Sequence, residues 1–156
     1  MEGGDWAAQA VPLLNATTFG AMYLASGTKL LAMPWHAEVH LMYAIESSCH
    51  TNEGKRKSAM YVIPAATWVL LGGEKIYELC KADFDRIDAG PRSGFPTDNG
   101  DWLWGKGRGY SLERWAFWKK RFSEVGTSQE LSDSAKDICG RASSEMERVE
   151  ASSQHH

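Results

Sequence analysis

Two histidines of the chain, His36 and His40, have a spacing that could bind a metal ion. They occur in HAEVH, and a separation of four residues places both imidazoles on one face of a helix. A stable site needs a third ligand, but Glu38 projects from another face, and Cys49 or His50 could join only through the following loop. The order of residues also differs from the HExxH pattern of metalloproteases. We therefore expect ordinary solvated or hydrogen-bonded histidines and no metal.

A glycine-rich run, GKGRGYS, precedes a predicted helix and could in principle bind a phosphate. It offers flexible backbone amides, the cations Lys106 and Arg108, and a helix N-terminus. However, no strand is predicted before it, its spacing is neither GxGxxG nor that of a P-loop, and Ser111 is already suited to cap the helix. We expect the glycines to let Trp102 and Trp104 fold back onto the protein, with an anion site as the weaker alternative.

The three cysteines, Cys49, Cys80 and Cys139, are the remaining candidates for chemistry. Their number is odd and they form no CxxC pair, a pattern typical of reduced thiols in an intracellular protein. Only Cys49 has a histidine near it in sequence, and adjacent residues rarely orient each other as nucleophile and base. The sequence therefore identifies no catalytic residue, and we expect no cofactor and lean towards a protein that is not an enzyme.

The segment from residue 100 to residue 122 contains four of the seven tryptophans together with six basic side chains. On a helix that begins at Leu112, its apolar side chains line one face; they are Leu112, Trp115, Trp118, Phe122 and Val125. Binding of nucleic acid would instead require exposed rings that alternate with cations. The pattern predicts a buried aromatic stripe, with Arg114, Lys119 and Arg121 at its edge and their charges in water. The basic side chains keep nucleic-acid binding as a minor alternative, although the sequence pI is only about 5.9.

We predict that the segments carrying these residues form helices. We predict a first helix with Pro12 in its first turn that ends near Ala25, and a second with Pro34 in its first turn that fades by Cys49. The polar run at residues 50–57 is predicted as an exposed loop, followed by a long apolar helix that Pro64 either starts or kinks.

The second half of the chain begins with a long glycine-containing connection over residues 85–109, for which Phe95 is a candidate anchor. Ser111 then caps a helix that ends near Gly126. Thr127 and Glu130 have the spacing of a capping box for a last amphipathic helix. The charged residues at positions 127–156 sum to −3, which equals the formal net charge of the entire chain. We therefore divide the chain into a helical domain, residues 1–126, and an acidic C-terminal helix with a frayed end, residues 127–156.

Three segments of the chain resemble a family of fungal proteins of unknown function, domain-of-unknown-function family 3632. The matching stretches are YVIPAATWVLLGGEKIYEL, GDWLWGKGRGYS and the distinctive SLERWAFWKKRF, with a weaker match at WAAQAVPLLNATTFGAMYLAS. The resemblance covers roughly residues 6–125 and implies an all-helical fold without any known activity. It also implies members that are longer at the N-terminus, so that some apolar surface of this chain would be exposed or paired with another chain.

Together these patterns predict an all-α single domain of four to five helices with a long glycine-rich loop before the fourth. We expect a cytoplasmic protein, with the nucleus as the alternative, that is not secreted and does not contact a membrane, because the N-terminus is acidic and its apolar region is interrupted. The preferred function is a non-catalytic module that packs against a protein partner or itself. A helical enzyme or small-molecule binder with an aromatic pocket, and a weak nucleic-acid binder, are the alternatives. The candidate ligand or partner surface comprises Phe95, Trp102, Trp104, Lys106, Arg108, Tyr110 and Arg114.

Overall fold

The computed structural model describes residues 6–26, 32–47, 52–84, 103–104 and 109–154. Within these ranges the chain forms five α-helices and no strand, so the prediction of an all-α single domain is confirmed. The helices are α1 (Trp6–Ala25), α2 (Ala32–Leu41), α3 (Asn52–Lys81), α4 (Leu112–Val125) and α5 (Asp133–Ser153), and a π-helical turn (Met42–Glu46) continues α2.

The long helix α3 is the centre of the fold, and the other four helices pack around it. Two adjacent glycines in α3 lie where α1 and α5 approach it. A Cβ atom added at Gly72 would lie 3.3 Å from Leu24 Cδ2, and one added at Gly73 would lie 3.7 Å from Val149 Cγ2. The first distance is tighter than ordinary van der Waals contact, so the absence of a side chain at Gly72 allows the close approach of α1.

Four of the five residues predicted to form the apolar stripe of α4 are buried, whereas Leu112, the first residue of the helix, is 47% exposed. Trp115, Trp118 and Phe122 are at most 1% exposed, and Val125 closes the stripe at 9%. The hydroxyl of Ser111 accepts a hydrogen bond from the Arg114 amide and caps the helix, which confirms the predicted start. The predicted end near Gly126 is also confirmed.

Three predicted helix starts are wrong, and local contacts explain two of them. Helix α1 begins at Trp6 rather than near Pro12, which lies inside it. The predicted loop at residues 50–57 is helical from Asn52 onwards, because Ser58 is buried and its hydroxyl donates to the Ala44 carbonyl at 2.7 Å, anchoring the first turns of α3. Helix α5 begins at Asp133 and is capped by Ser132, rather than by Thr127 as predicted.

The capping box predicted at Thr127 does not form, because the Thr127 hydroxyl donates to the Glu124 carbonyl instead. Helix α5 is nevertheless amphipathic, as predicted, and its apolar side faces the same core as the other helices. Its buried residues are Ala135, Cys139, Ala142, Met146 and Val149. One core therefore joins α5 to α3 and α4.

Candidate functional site

The structure describes three of the seven residues predicted to form a ligand or partner surface. Trp104 is half-buried, whereas Tyr110 and Arg114 are only 3% and 1% exposed. The expectation that the Arg114 charge stays in water is therefore wrong. Arg114 precedes Trp118 by four residues, so both side chains lie on the buried face of α4. The other members, Phe95, Trp102, Lys106 and Arg108, lie outside the described residues.

The guanidinium of Arg114 forms the centre of a buried ionic cluster. Its Nε and Nη2 atoms donate to the two carboxylate oxygens of Glu46 at 2.7 and 2.9 Å, a parallel two-bond geometry that suits a planar guanidinium. Its Nη1 atom donates to Glu38 Oε1 at 2.5 Å and to the Gly109 carbonyl at 2.8 Å. We call Glu38, Glu46, Gly109, Arg114 and Trp118 the Arg114 cluster.

The remaining contacts of the Arg114 cluster come from an indole and a loop amide. Trp118 Nε1 donates to Glu46 Oε1 at 2.6 Å, and the Gly109 amide donates to Glu38 Oε1 at 2.6 Å. The Trp118 ring also lies against the guanidinium, 5.1 Å from its centroid, close enough for a cation–π contact. Burial opposes the charge of Arg114, but the attraction and hydrogen bonds of Glu46 and then Glu38 outweigh it and raise the Arg114 pKa. The guanidinium is therefore charged at every physiological pH.

The π-helical turn helps to bring the two glutamates to one guanidinium. Glu38 lies on α2 and Glu46 ends the π turn eight residues later. In an uninterrupted α-helix, eight residues would rotate the second side chain by about 80° relative to the first. The i→i+5 hydrogen bonds of a π turn make it wider, which reduces this offset. Neither glutamate was predicted as a site residue, because the partners of Arg114 lie 68 and 76 positions away in sequence.

The described parts of the long connection before α4 are fixed to the same region. The Leu103 amide donates to the Glu46 carbonyl, and the Tyr110 amide donates to the Phe84 carbonyl, both at 2.8 Å. The Tyr110 hydroxyl donates to the Pro34 carbonyl. Trp104 packs on Phe117 with ring centroids 5.2 Å apart, so the prediction that Trp104 folds back onto the protein is confirmed, whereas Trp102 lies outside the described residues.

The groups next to the Arg114 cluster are held in their neutral forms at physiological pH. Burial, followed by the charge of Glu38, raises the pKa of Tyr110 well above its ordinary value. Burial also raises the pKa of the Cys80 thiol to about 12, which disfavours the reactive thiolate. The arrangement therefore supplies a rigid, internally paired link between α2, α4 and the loop, in which the hydrogen-bonding groups face each other.

The two histidines considered as metal ligands have different environments. His40 accepts a hydrogen bond from Trp68 Nε1 through Nδ1 at 2.9 Å, which leaves the proton of the neutral ring on Nε2. Burial, with a contribution from His36, lowers the pKa of His40 to about 4. His36 is exposed. In the parts of the chain that the structure describes, no three His, Cys, Asp or Glu side chains are grouped so that they could hold a metal ion.

A second feature, which the candidate surface predicted from the sequence does not include, is the outward side of α1. The helix spans 20 residues without any Asp, Glu, Lys or Arg. Its inner side contributes Ala21 and Leu24 to the core, while Phe19 and Met22 are 63% and 62% exposed. We call the exposed residues Pro12, Asn15, Ala16, Phe19, Met22 and Ala25 the α1 outer face. Exposed apolar side chains that lie together often mark an interaction site, so Phe19 and Met22 make this face a candidate surface for a partner.

Comparison with known proteins places this helical chain in one family. The model of a family described as proteins of unknown function, DUF3632, matches residues 2–122, and the chain belongs to this family. No curated protein and no solved structure matches the chain. The matched segment ends within α4, so α5 lies beyond it. None of the helices that the structure describes is both long and apolar enough to cross a membrane.

Proposed function

We propose that the protein is a non-catalytic packing module that binds another protein through the α1 outer face. The observation that supports this most strongly is the combination of an uncharged helix with two large apolar side chains, Phe19 and Met22, that are more than 60% exposed. Full burial of such a side chain contributes about 1.5–3 kcal/mol. Covering the exposed parts of both therefore provides an appreciable driving force for association.

The Arg114 cluster is consistent with the same function because its charged groups are buried and paired with each other, and so are not available to a substrate. Its guanidinium makes four hydrogen bonds to Glu38, Glu46 and Gly109, and it is 1% exposed. Such a network holds α2, α4 and the loop in one arrangement.

The alternative of a small-molecule pocket has less support from the rings that were expected to line it. Tyr110 packs edge-on against Trp118 with centroids 5.8 Å apart, and Trp104 packs against Phe117. Both described rings are thus engaged with α4 rather than lining an open space. We therefore favour the packing module.

Photo-crosslinking in cells tests the proposal. The photoreactive residue p-benzoylphenylalanine replaces Phe19 in one variant and Leu112 in another; Leu112 is also a large exposed apolar residue, at 47%, but lies on α4. After irradiation we expect a covalent adduct with a protein, identified by mass spectrometry, from position 19 and not from position 112. Equal labelling at both positions, an adduct within the same chain, or no adduct at position 19 would contradict the proposal.

A further inference from the structure

We infer that a cavity between α3 and α4 binds a small organic acid whose single carboxylate pairs with Lys55 and Arg121. The cavity lies where the start of α3, the end of α4 and the connection from α4 to α5 meet. It is separate from the rings of Trp104 and Tyr110 and from the α1 outer face. The inference therefore goes beyond the proposed function and is tested independently of it.

The size and the walls of the cavity suit a small molecule. Its volume is about 430 Å³, and small-molecule sites usually measure about 300–1,000 Å³. The hydroxyl of the buried Ser58 donates to the Ala44 carbonyl at 2.7 Å and fixes the start of α3. The Ser128 amide donates to the Val125 carbonyl at 3.0 Å, and the Glu130 amide donates to the Ser128 hydroxyl at 3.3 Å, which holds the connection after α4. A ligand therefore enters a largely pre-formed site.

The guanidinium of Arg121 is fixed in orientation but keeps an unused donor. Its Nε atom donates to the Ile45 carbonyl at 2.8 Å, and its Nη1 atom donates to Glu124 Oε2 at 2.6 Å. Among the described residues, its Nη2 atom has no hydrogen-bond acceptor. The side chain is only 17% exposed and is thus largely removed from water. A ligand carboxylate would supply Nη2 with a charge-assisted hydrogen bond.

Lys55 supplies a second cation at low cost. Its Nζ atom lies 3.6 Å from Glu130 Oε1, and the two side chains are 48% and 70% exposed. Ion pairs as exposed as this one contribute little to stability, so Lys55 can exchange Glu130 for a ligand. The charged residues that line the cavity are three cations and two carboxylates, namely Lys55, Arg56, Arg121, Glu124 and Glu130. One negative charge balances them, whereas a phosphate group with nearly two charges would exceed the balance.

The rest of the lining suits an apolar body next to the carboxylate. Lys55 and Ala59 lie four residues apart on α3, so one face of that helix presents a cation and an apolar side chain. Arg121 and Val125 repeat this arrangement on α4. Leu131, which is half-buried, adds a third apolar contact. An apolar ligand body covers these side chains, whereas an inorganic ion leaves them in water.

Titration of the whole chain with three probes, followed by NMR, tests the site. The probes are naphthalene-2-carboxylate, its neutral carboxamide of nearly the same shape, and inorganic phosphate. We expect the carboxylate to bind with a dissociation constant of about 1 mM or lower, and about tenfold more tightly than either other probe. No binding of the carboxylate at about 10 mM, or equal binding of the carboxamide or of phosphate, would overturn the inference.

Two charge changes with opposite expected effects locate the carboxylate. Lys55→Gln should weaken binding of naphthalene-2-carboxylate about fivefold, whereas Glu130→Gln should strengthen it about twofold or more, because it releases Lys55 and removes a negative charge. Damage to the fold would not strengthen binding. Lys81→Gln is the matched control, since Lys81 is also an exposed residue of α3 but does not line the cavity. The same affinity in Lys55→Gln and Lys81→Gln would contradict the site.

Two further variants change the donor and the volume of the cavity. Arg121→Gln should weaken binding about tenfold because it removes the fixed donor, and circular dichroism verifies that the variant is helical. Ala59→Leu leaves every charge in place and should also weaken binding, because the larger side chain occupies part of the cavity. Unaltered binding in either variant would show that the probe lies elsewhere and would overturn the inference. Photo-crosslinking at position 19 reports on the α1 outer face alone, so failure of one proposal leaves the other intact.

Discussion

Replacement of Glu46 by glutamine tests how much the Arg114 cluster contributes to the free energy of unfolding. The Glu46 carboxylate accepts three hydrogen bonds, from Arg114 Nε and Nη2 and from Trp118 Nε1. Glutamine has nearly the same shape but offers one acceptor oxygen, so its amide nitrogen must face a donor. Because both Arg114 and Glu46 are at most 2% exposed, water cannot replace the lost bonds.

The expected cost is large compared with the stability of a single domain. Removing one partner of a buried ion pair typically costs about 3–5 kcal/mol, out of a total free energy of unfolding of about 5–15 kcal/mol. For a chain of this size, that loss lowers the melting temperature by about 10 °C. Urea unfolding followed by tryptophan fluorescence measures it, since Trp118 lies in the cluster.

Glu74→Gln is the matched control, because Glu74 pairs with Arg148 in an ion pair whose side chains are 69% and 54% exposed. The same chemical change should there leave the unfolding midpoint almost unaltered. If Glu46→Gln destabilises the protein no more than Glu74→Gln, the Arg114 cluster does not stabilise the fold, and the expected cost of about 3–5 kcal/mol is refuted.

Three further predictions follow from single residues. The pKa of His40 is lowered to about 4 from its ordinary value of 6.5. The stability that depends on the neutral His40 ring is therefore complete above pH 6.5 and is lost as the pH falls towards 4, by at most about 3 kcal/mol. His40→Gln should lack this part of the pH dependence when urea unfolding is measured. Gly140→Ala should stabilise the protein by up to about 1 kcal/mol, because Gly140 is within α5 and a Cβ there meets no atom within 4 Å; an unchanged or lower melting temperature would contradict this. The thiols of Cys80 and Cys139, whose pKa values burial raises to about 12 and about 11, should react with a thiol reagent at pH 8 only after unfolding, and rapid labelling of either in the native protein would show that the surrounding core opens.

Local patterns predicted the helices better than they predicted the site. The Ser111 cap and the stripe of Trp115 and Trp118 depend on residues within one helix, so sequence spacing was sufficient. The burial of Arg114 was missed because its charge was given more weight than its position four residues before Trp118. Its carboxylate partners come from α2 and the turn after it, and no local pattern pairs residues so distant in sequence.

The exposed side of α1 was missed for a different reason. Apolar spacing along a helix predicts which side is buried, but it does not indicate whether the opposite side carries charges. The feature that indicates this exposed apolar side is a run of 20 helical residues without an acidic or a basic side chain. Spacing alone does not reveal this, because the number of exposed apolar side chains depends on how many neighbours each helix has.

Helix α5 has a consequence for how relatives of this protein are delimited. The family match ends at residue 122, yet Glu150 accepts hydrogen bonds from Trp115 Nε1 and Lys119 Nζ at 2.8 and 2.7 Å, and Met146 is fully buried. A fragment cut at the boundary of the match would present these contacts to solvent and would be prone to aggregate. Recombinant versions of related proteins should therefore be extended past that boundary until an amphipathic helix equivalent to α5 is included.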